Sequence, residues 1–447
     1  MTISPGWSAV VKGPSKNPST PVVRSPLALR YALTAPGELG FARAYVSGEL
    51  DVEGDIFDAL ALRDNLPDVR LGASDWLELA RIAGTAGLRP LPPPPEEARL
   101  HGRRHTKERD AAAIAHHYDV SNDFYRIILG PSMTYSCGVW AQPHGSLEDA
   151  QAAKHELVCR KLGLEPGMRL LEVGCGWGSM AIHAAQRHGV SAVGVTLSQR
   201  QADWARRAVR EAGLDKRVEI RVQDYRDVRD GPFDAISSIG MFEHVGASRL
   251  DEYFATLRRL VRPGGRVLNH GIARPALPRS RPRFMRRGFI DRYVFPDGEL
   301  HEVGSVVSRI QLAGLEARHV EGLREHYALT LRAWVGNLEA SWPHAVAEAG
   351  AGRARVWRLY MAASAINFEA ARTQIHQVLA VRDDHGASGF ALRPDWDADR
   401  PADEVERPAS EPPPETTTSP AGDGGARAPG SSGGRSVSTP IVSPLTP

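Results

Sequence analysis

One stretch constrains this chain more than any other. In Arg169-Leu-Leu-Glu-Val-Gly-Cys-Gly-Trp-Gly178 a short apolar run ends in three alternating glycines and leads directly into a helical pattern, Ser179–Arg187. A strand that passes through glycines into a helix lets backbone approach a ligand, and it points free N–H groups of the helix N-terminus at that ligand. The same rhythm continues. Strand patterns at Ala192–Val195, Val218–Val222, Phe233–Ser238 and Arg266–Asn269 alternate with helical patterns at Ser198–Ala212 and Arg249–Val261, and Pro263-Gly-Gly265 reads as a turn. Strands separated by helix-length crossovers predict an α/β fold with a parallel, doubly wound, Rossmann-like sheet. A dinucleotide fingerprint needs a glycine where Ser179 stands, so Gly174, Gly176 and Gly178 form GxGxG, and a nicotinamide cofactor is disfavoured. Glu172 just before the loop, Thr196, Leu197 and Gln201 after the second strand, and Asp224 and Tyr225 after the third all fall at strand ends that meet in one crevice. The competing reading, a mere tight turn, loses weight as these polar strand ends accumulate.

Length and composition set the rest of the frame. The chain has 447 residues, 42% hydrophobic and 24% charged, which is the profile of a globular protein. No apolar run approaches the ~18 residues of a membrane span, and the first residues lack the pattern of an export signal, so a cytoplasmic address is expected. A formal charge of +2 is too even for bulk electrostatic binding of nucleic acid. Cys137, Cys159 and Cys175 form no CxxC pair, which argues against a disulfide framework and against structural zinc. Residues 1–28 read as a loose lead-in and residues 29–90 as a small α-rich unit, with strand-like Arg43–Val46 and helical Ile56–Arg63 and Ser74–Ala83. Residues 91–110 form a Pro-rich, basic linker and 111–397 the catalytic domain. Residues 398–447 are dominated by Pro, Gly, Ser, Thr and Ala and read as a disordered tail.

Six separated motifs occur in order: His116-His-Tyr-Asp-Val-Ser-Asn-Asp-Phe124, Met133-Thr-Tyr-Ser-Cys137, Leu171-Glu-Val-Gly-Cys-Gly-Trp-Gly178, Thr196-Leu-Ser198, Phe242-Glu-His244 and Arg324-Glu-His-Tyr327. Together, from about Ala111 to Arg382, they resemble the cyclopropane-fatty-acyl-phospholipid synthases and their mycolic acid cyclopropane synthase relatives. Gly37-Glu-Leu-Gly-Phe-Ala-Arg-Ala-Tyr45 resembles the N-terminal, lipid- and membrane-associated domain of the phospholipid-acting members. The resemblance implies a class I S-adenosylmethionine-dependent methyltransferase fold, peripherally associated with the inner face of the membrane, acting on unsaturated phospholipid acyl chains. A homodimer stays open. It implies cofactor contacts from Tyr135, Ser136, the Glu172–Gly178 loop, Thr196, Leu197, Gln201, Asp224 and Tyr225, and a bicarbonate ion held among Cys137, Glu243, His270, Ile272 and Tyr327. In Tyr360-Met-Ala-Ala-Ser364, Ser364 replaces a cysteine that some members carry, so no cysteine nucleophile acts there.

The chemistry explains the residue types. An isolated alkene needs an activated electrophile, which a sulfonium supplies, and the resulting carbocation needs a dry pocket and one placed base. Each residue also has a structural alternative: Glu243 and His244 as a helix cap, His270 as a core histidine, Cys137 as a small buried hydrophobe whose position matters more than its sulfur, Tyr327 as an interface hydroxyl. Cys159 and Cys175 read as structural. A same-carbocation route to a methylene- or methyl-branched chain, and a silent lipid-binding homologue, are the rival functions. Arg274, Arg279, Arg281, Arg283, Arg286, Arg287 and Arg292 crowd a segment that also holds Phe284, Met285 and Phe289. They read either as a solvated face or as a contact for an anionic membrane surface. On the second reading, replacing Arg281, Arg283, Arg286 and Arg287 with glutamine weakens binding to phosphatidylglycerol vesicles by about 1 kcal/mol per residue, and the deficit shrinks in high salt. Equal co-sedimentation of variant and wild type at low salt returns these arginines to the solvated face.

Overall fold

The computed structural model describes residues 19–35, 37–65, 89–98, 106, 109, 120–276 and 288–396. The helix at Ser74–Ala83, the start of the His116 motif, the arginines from Arg279 to Arg287, most of the lead-in and the tail lie outside the described residues.

Strands β1 (Thr20–Val23) and β2 (Leu50–Glu53) form an antiparallel pair. The main sheet comprises β3 (Arg169–Val173), β4 (Ser191–Thr196), β5 (Val218–Val222), β6 (Phe233–Ile239), β7 (Val261–Ala273), β8 (Glu316–Gly322) and β9 (Gln374–Val381). Its order is β5-β4-β3-β6-β7-β9-β8. The first five strands are parallel, as the alternating pattern predicts. β9 and β8 are antiparallel additions, so the sheet is mixed and not wholly parallel. Because β3 pairs with both β4 and β6, the strand order reverses there, and a crevice opens beyond the carboxyl ends of those strands.

β7 is longer than the four residues expected of it. Its register on β6 steps from Phe233 opposite Val261 to Ala235 opposite Arg266, so Pro263-Gly-Gly265 bulges from a continuous strand and makes no chain reversal. The strand then runs on to Ala273, which places His270 and Ile272 on one face by the two-residue period.

The helices are α1 (Leu27–Thr34), α2 (Glu38–Val46), α3 (Ile56–Asn65), α4 (Asn122–Leu129), α5 (Leu147–Leu162), α6 (Ser179–His188), α7 (Gln199–Glu211), α8 (Leu250–Leu260), α9 (Phe289–Tyr293), α10 (Val303–Leu312), α11 (Arg324–Ala340), α12 (Trp342–Ala349) and α13 (Ala351–Glu369). α5 and α7 begin on serine caps: Ser146 accepts from Asp149 N, and Ser198 accepts from Gln201 N. The strand-like reading of Arg43–Val46 is corrected. These residues end α2, whose buried Ala42, Tyr45 and Val46 follow the helical period and join one core with α4, α11 and α13. Arg355 pairs with Asp51, and its neighbour one turn on, Arg358, donates to the Tyr45 hydroxyl, so α13 is tied to the N-terminal elements by charge as well as packing. Glu97, 7% exposed, lies between Arg43 and Arg292, and Arg109 grips Asp297.

Candidate active site

The glycine loop lies between β3 and α6, and two of its three glycines reach a crevice. Gly174 and Gly176 line a crevice together with Tyr135, Ser136, Glu172, Thr196, Leu197, Gln201, Asp224 and Tyr225. Gly176 has φ +52° and nothing within 4 Å of where a Cβ would stand, so its missing side chain faces open space. Gly178 is not among the lining residues. At φ +86° it begins α6, and a Cβ there would meet Ala205 Cβ at 3.0 Å, so this glycine serves the packing of α6 against α7.

Charge is buried under the loop. Lys154 of α5, 1% exposed, donates to Ser136 Oγ at 3.1 Å. Burial pushes its ammonium down to about 8 while Glu172 draws it back up, and burial raises the Glu172 carboxyl against the pull of Lys154. One Glu172 oxygen, Oε2, has no hydrogen-bond partner among the described residues. On the opposite rim the Thr196 hydroxyl donates to Gln201 Oε1 at 2.8 Å, which leaves the Gln201 amide nitrogen as that side chain's donor end. Asp224 is already held by the Arg226 backbone N–H and guanidinium.

A second cavity lies beside the first and shares Tyr135, Ser136, Gly240 and His244 with it. Its wall brings together all five residues implied as the ion site: Cys137, Glu243, His270, Ile272 and Tyr327. Much of the rest is aromatic or aliphatic, including Phe295, Leu331, Tyr360, Phe368 and Ile375, and Ser364 also lines it. Glu243 sits on a single 3-10 turn just past β6, and its Oε1 accepts the Ile272 backbone N–H at 2.7 Å. Ile272 therefore orients Glu243 through its main chain. Glu243 Oε2 is buried without a partner among the described residues, and burial raises this carboxyl to about 7. The Cys137 thiol bonds to the Gly138 carbonyl at 3.2 Å, and burial drives it far above the ordinary range, so it stays protonated. His244 packs edge-on to Phe295 and is held neutral by burial, at about 4.

The proton position on His270 follows from its neighbours. Buried Lys161 of α5 can only donate; it bonds to Glu321 and, at 2.7 Å, to Gln377 Oε1. That turns Gln377 Nε2 toward His270 Nδ1, 3.1 Å away across the β7–β9 pair. His270 Nδ1 therefore accepts, and in the neutral ring the proton resides on Nε2, which is buried without a partner among the described residues. Burial, with Lys154 and Lys161 nearby, lowers His270 to about 3 and keeps it neutral. Sequence reading missed Lys154, Lys161 and Gln377. For the two lysines the one signal is the helical spacing of the buried α5 positions 150, 151, 154, 155, 158, 159, 161 and 162, half of which are Gln, Lys or His.

A glycine-loop crevice at the switch point of a Rossmann-like sheet, walled by polar strand ends, is where such a fold binds a nucleoside cofactor, and the likenesses to known proteins make the chain a class I S-adenosylmethionine-dependent methyltransferase. The mycolic acid cyclopropane synthetase family matches residues 105–378, and the chain belongs to that family. A probable fatty acid methyltransferase of Mycobacterium tuberculosis is 48% identical over 386 residues, covering 84% of this chain and 90% of the relative. The cyclopropane-fatty-acyl-phospholipid synthase of Escherichia coli K12 is 35% identical over 348 residues, 77% of this chain and 84% of the relative. Among solved structures, the mycolic acid cyclopropane synthase CmaA1, complexed with SAH and CTAB, superposes with a TM-score of 0.57 at 33% identity, over 61% of this chain and 98% of its own.

The raised Glu243 carboxyl has a signed consequence. Its folded value of about 7 lies above the ordinary 4.5, so the folded state holds the proton more tightly than the unfolded state. This contribution to stability is full below about pH 4.5 and is lost as pH rises through about 7. Glu243→Gln removes the titration, so the variant gains stability relative to wild type between pH 5 and 8.5. Urea unfolding at the two pH values checks it; an unchanged difference shows that Glu243 is ionised in the fold throughout.

Proposed function

We propose that this enzyme transfers a one-carbon unit from S-adenosylmethionine to a cis double bond of an unsaturated phospholipid acyl chain, closing a cyclopropane ring, at an anionic membrane surface. The observation that carries this reading is the set of buried atoms without a partner among the described residues, Glu243 Oε2 and His270 Nε2–H with Thr373 Oγ1, in the wall of a largely aromatic and aliphatic cavity that shares four residues with the glycine-loop crevice. Buried polar atoms left without partners are uncommon, and several in one wall support a site for a small polar guest.

S-adenosylmethionine supplies the methyl electrophile that an unactivated alkene requires. Gly174, Gly176, Glu172, Thr196, Gln201, Asp224 and Tyr225 hold it from the first cavity, and Tyr135 and Ser136 belong to the wall common to both. Bicarbonate, when bound, supplies the base for the proton that must leave before the ring closes. The donor set suits such an anion: His270 offers an N–H fixed by Gln377, Glu243 a carboxyl oxygen free to bond on either side of its proton, and Tyr327 a hydroxyl-bearing side chain. Cys137 contributes position, since its thiol is bonded to backbone. The aromatic wall of Tyr135, Phe295, Tyr360 and Phe368 excludes water and offers ring faces to a cation.

A second reading has an observation of its own. The relatives at 48% and 42% identity are both named probable fatty acid methyltransferases. From the same carbocation, a hydride shift followed by loss of a methyl proton gives a methylene branch, and loss of a neighbouring chain proton gives a methyl-branched alkene; a saturated methyl branch needs a separate hydride donor. Lipid extracts from a host expressing the protein decide the matter, because proton NMR separates cyclopropyl hydrogens from an exocyclic alkene or a branch methyl.

Two sets of variants test the site. Gly176→Val places a branched side chain in the crevice at a positive φ, and abolishes calorimetric binding of S-adenosylhomocysteine while the far-ultraviolet circular dichroism stays native. Retained binding places the cofactor elsewhere. Glu243→Ala and His270→Ala lower turnover on phospholipid vesicles by at least ~100-fold with little change in S-adenosylhomocysteine affinity. Gln377→Glu keeps a partner for Lys161 but sets a carboxylate against His270 Nδ1, drawing the proton from Nε2. Nitrogen NMR then reports the other tautomer, and turnover falls. Near wild-type rates in Glu243→Ala and His270→Ala would remove the assigned ion site.

A further inference from the structure

The absence of a CxxC pair speaks against structural zinc in the sequence, yet folding assembles a ligand set from two helices. Glu156 and Cys159 stand three apart on α5, and His183 and His188 stand five apart on α6. Cys159 Sγ and one ring nitrogen from each histidine lie within 4.8 Å of one another. Both Nε2 atoms converge on a single oxygen, Glu156 Oε2, at 3.2 and 3.1 Å. Three donor atoms of sulfur and nitrogen thus gather within 4.8 Å, and the Glu156 carboxylate lies against the two histidines.

We propose that Cys159, His183, His188 and Glu156 form a binding site for a zinc-like divalent transition-metal ion that clamps α5 to α6 behind the cofactor crevice. The histidine–carboxylate separations suit ligands that share one ion, and the sulfur lies within 4.8 Å of a ring nitrogen of each histidine. Bonds of about 2.0–2.1 Å to nitrogen and oxygen in a tetrahedron put those atoms about 3.3 Å apart along each edge, close to the two observed separations. The donor types match as well, since thiolate with two imidazoles and a carboxylate selects zinc, cobalt or a similar ion over magnesium or calcium. An entry path exists: Cys159 is fully buried, while Glu156 at 28% and both histidines near 18% exposure face solvent on the other side. Arg160 Nε holds the second Glu156 oxygen at 2.9 Å, an outer contact that orients the carboxylate. The position has a consequence for the crevice. His155, next to Glu156, lines it, and its ring centre is 5.5 Å from that of His183. α6 begins at Gly178, the last glycine of the loop. Binding is balanced by release of the Cys159 thiol proton to solvent as the sulfur becomes a thiolate ligand.

The alternative is a hydrogen-bonded contact in which Glu156 bridges two histidines and the thiol is a bystander; cobalt distinguishes the two. The full-length, tag-free protein is stripped with chelator and titrated with Co2+ alone. A metal site gives a saturable sulfur-to-cobalt charge-transfer band together with visible d–d bands, all erased by Zn2+, and Zn2+ raises the thermal midpoint. Cys159→Ser removes the charge-transfer band, whereas Cys137→Ser and Cys175→Ser keep it. His188→Gln, at a part-exposed position that tolerates exchange, weakens cobalt binding by more than about 10-fold, the loss that even an outer-shell change produces. No charge-transfer band in wild type, or a band that survives Cys159→Ser, overturns the proposal. Should Cys159→Ser fail to fold, unchanged cobalt affinity in His188→Gln overturns it equally.

Discussion

Two ammonium groups buried on one helix set the terms for both cavities. Lys154 and Lys161 of α5 are 1% and 0% exposed, and taking each from water costs several kcal/mol unless the fold supplies partners. Lys154 is answered by Glu172 and Ser136, at the end of β3 and in the segment before α5. Lys161 is answered by Glu321 on β8 and Gln377 on β9. One helix thus fixes the carboxylate beside the glycine loop and, two turns on, the amide that sets the proton of His270. Removing a lysine would leave a buried carboxylate or amide unpaired, so the two cavities are coupled through α5 before any ligand arrives.

The same constraint explains why the antiparallel edge exists. A five-stranded parallel sheet would end at β7 and leave His270 on an open edge. β9 pairs along β7 from Gln374 to Val381, placing Gln377 directly opposite His270, and β8 then covers β9 and brings Glu321 to Lys161. The extra strands therefore do more than extend the sheet. They remove water from one side of His270 and replace it with a donor whose direction is fixed by a cation, which is the condition for a neutral imidazole with a defined tautomer.

Legibility in the sequence followed the same line. The parallel strands read correctly because buried apolar runs such as Leu170-Leu171 and Ala235-Ile236 are bounded by turn residues and separated by helix-length spans. β8 was missed because its residues alternate between exposed and half-buried, with Glu316, Arg318 and Glu321 masking any apolar face. β9 carries Gln374, His376 and Gln377 within an otherwise apolar run. Arg43–Val46 was misread because Tyr and Val favour strands, whereas the i, i+3, i+4 burial of Ala42, Tyr45 and Val46 decides for helix. The residues lining both cavities were legible through family motifs at strand ends. Lys154, Lys161 and Gln377 were not, since the rule that lysine lies outside holds unless a partner is buried with it, and only the fold reveals the partner.

The shared wall gives the proposed chemistry its direction. Tyr135, Ser136, Gly240 and His244 belong to both cavities, so a methyl donor on one side and an alkene on the other would meet across them. The polar groups on that wall are poorly suited to capture a carbocation. His244 is packed against Phe295, the Ser136 hydroxyl accepts from Lys154, and the Tyr135 hydroxyl is turned to the Tyr360 hydroxyl at 3.3 Å. Each of these three has a neighbour, while Glu243 Oε2 and His270 Nε2, in the wall of the second cavity, have no hydrogen-bond partner among the described residues. On this reading the wall separates the two demands of the reaction. Carbon–carbon bond formation takes place where side chains are already committed, and proton removal takes place where Glu243 and His270 can hold a small anion.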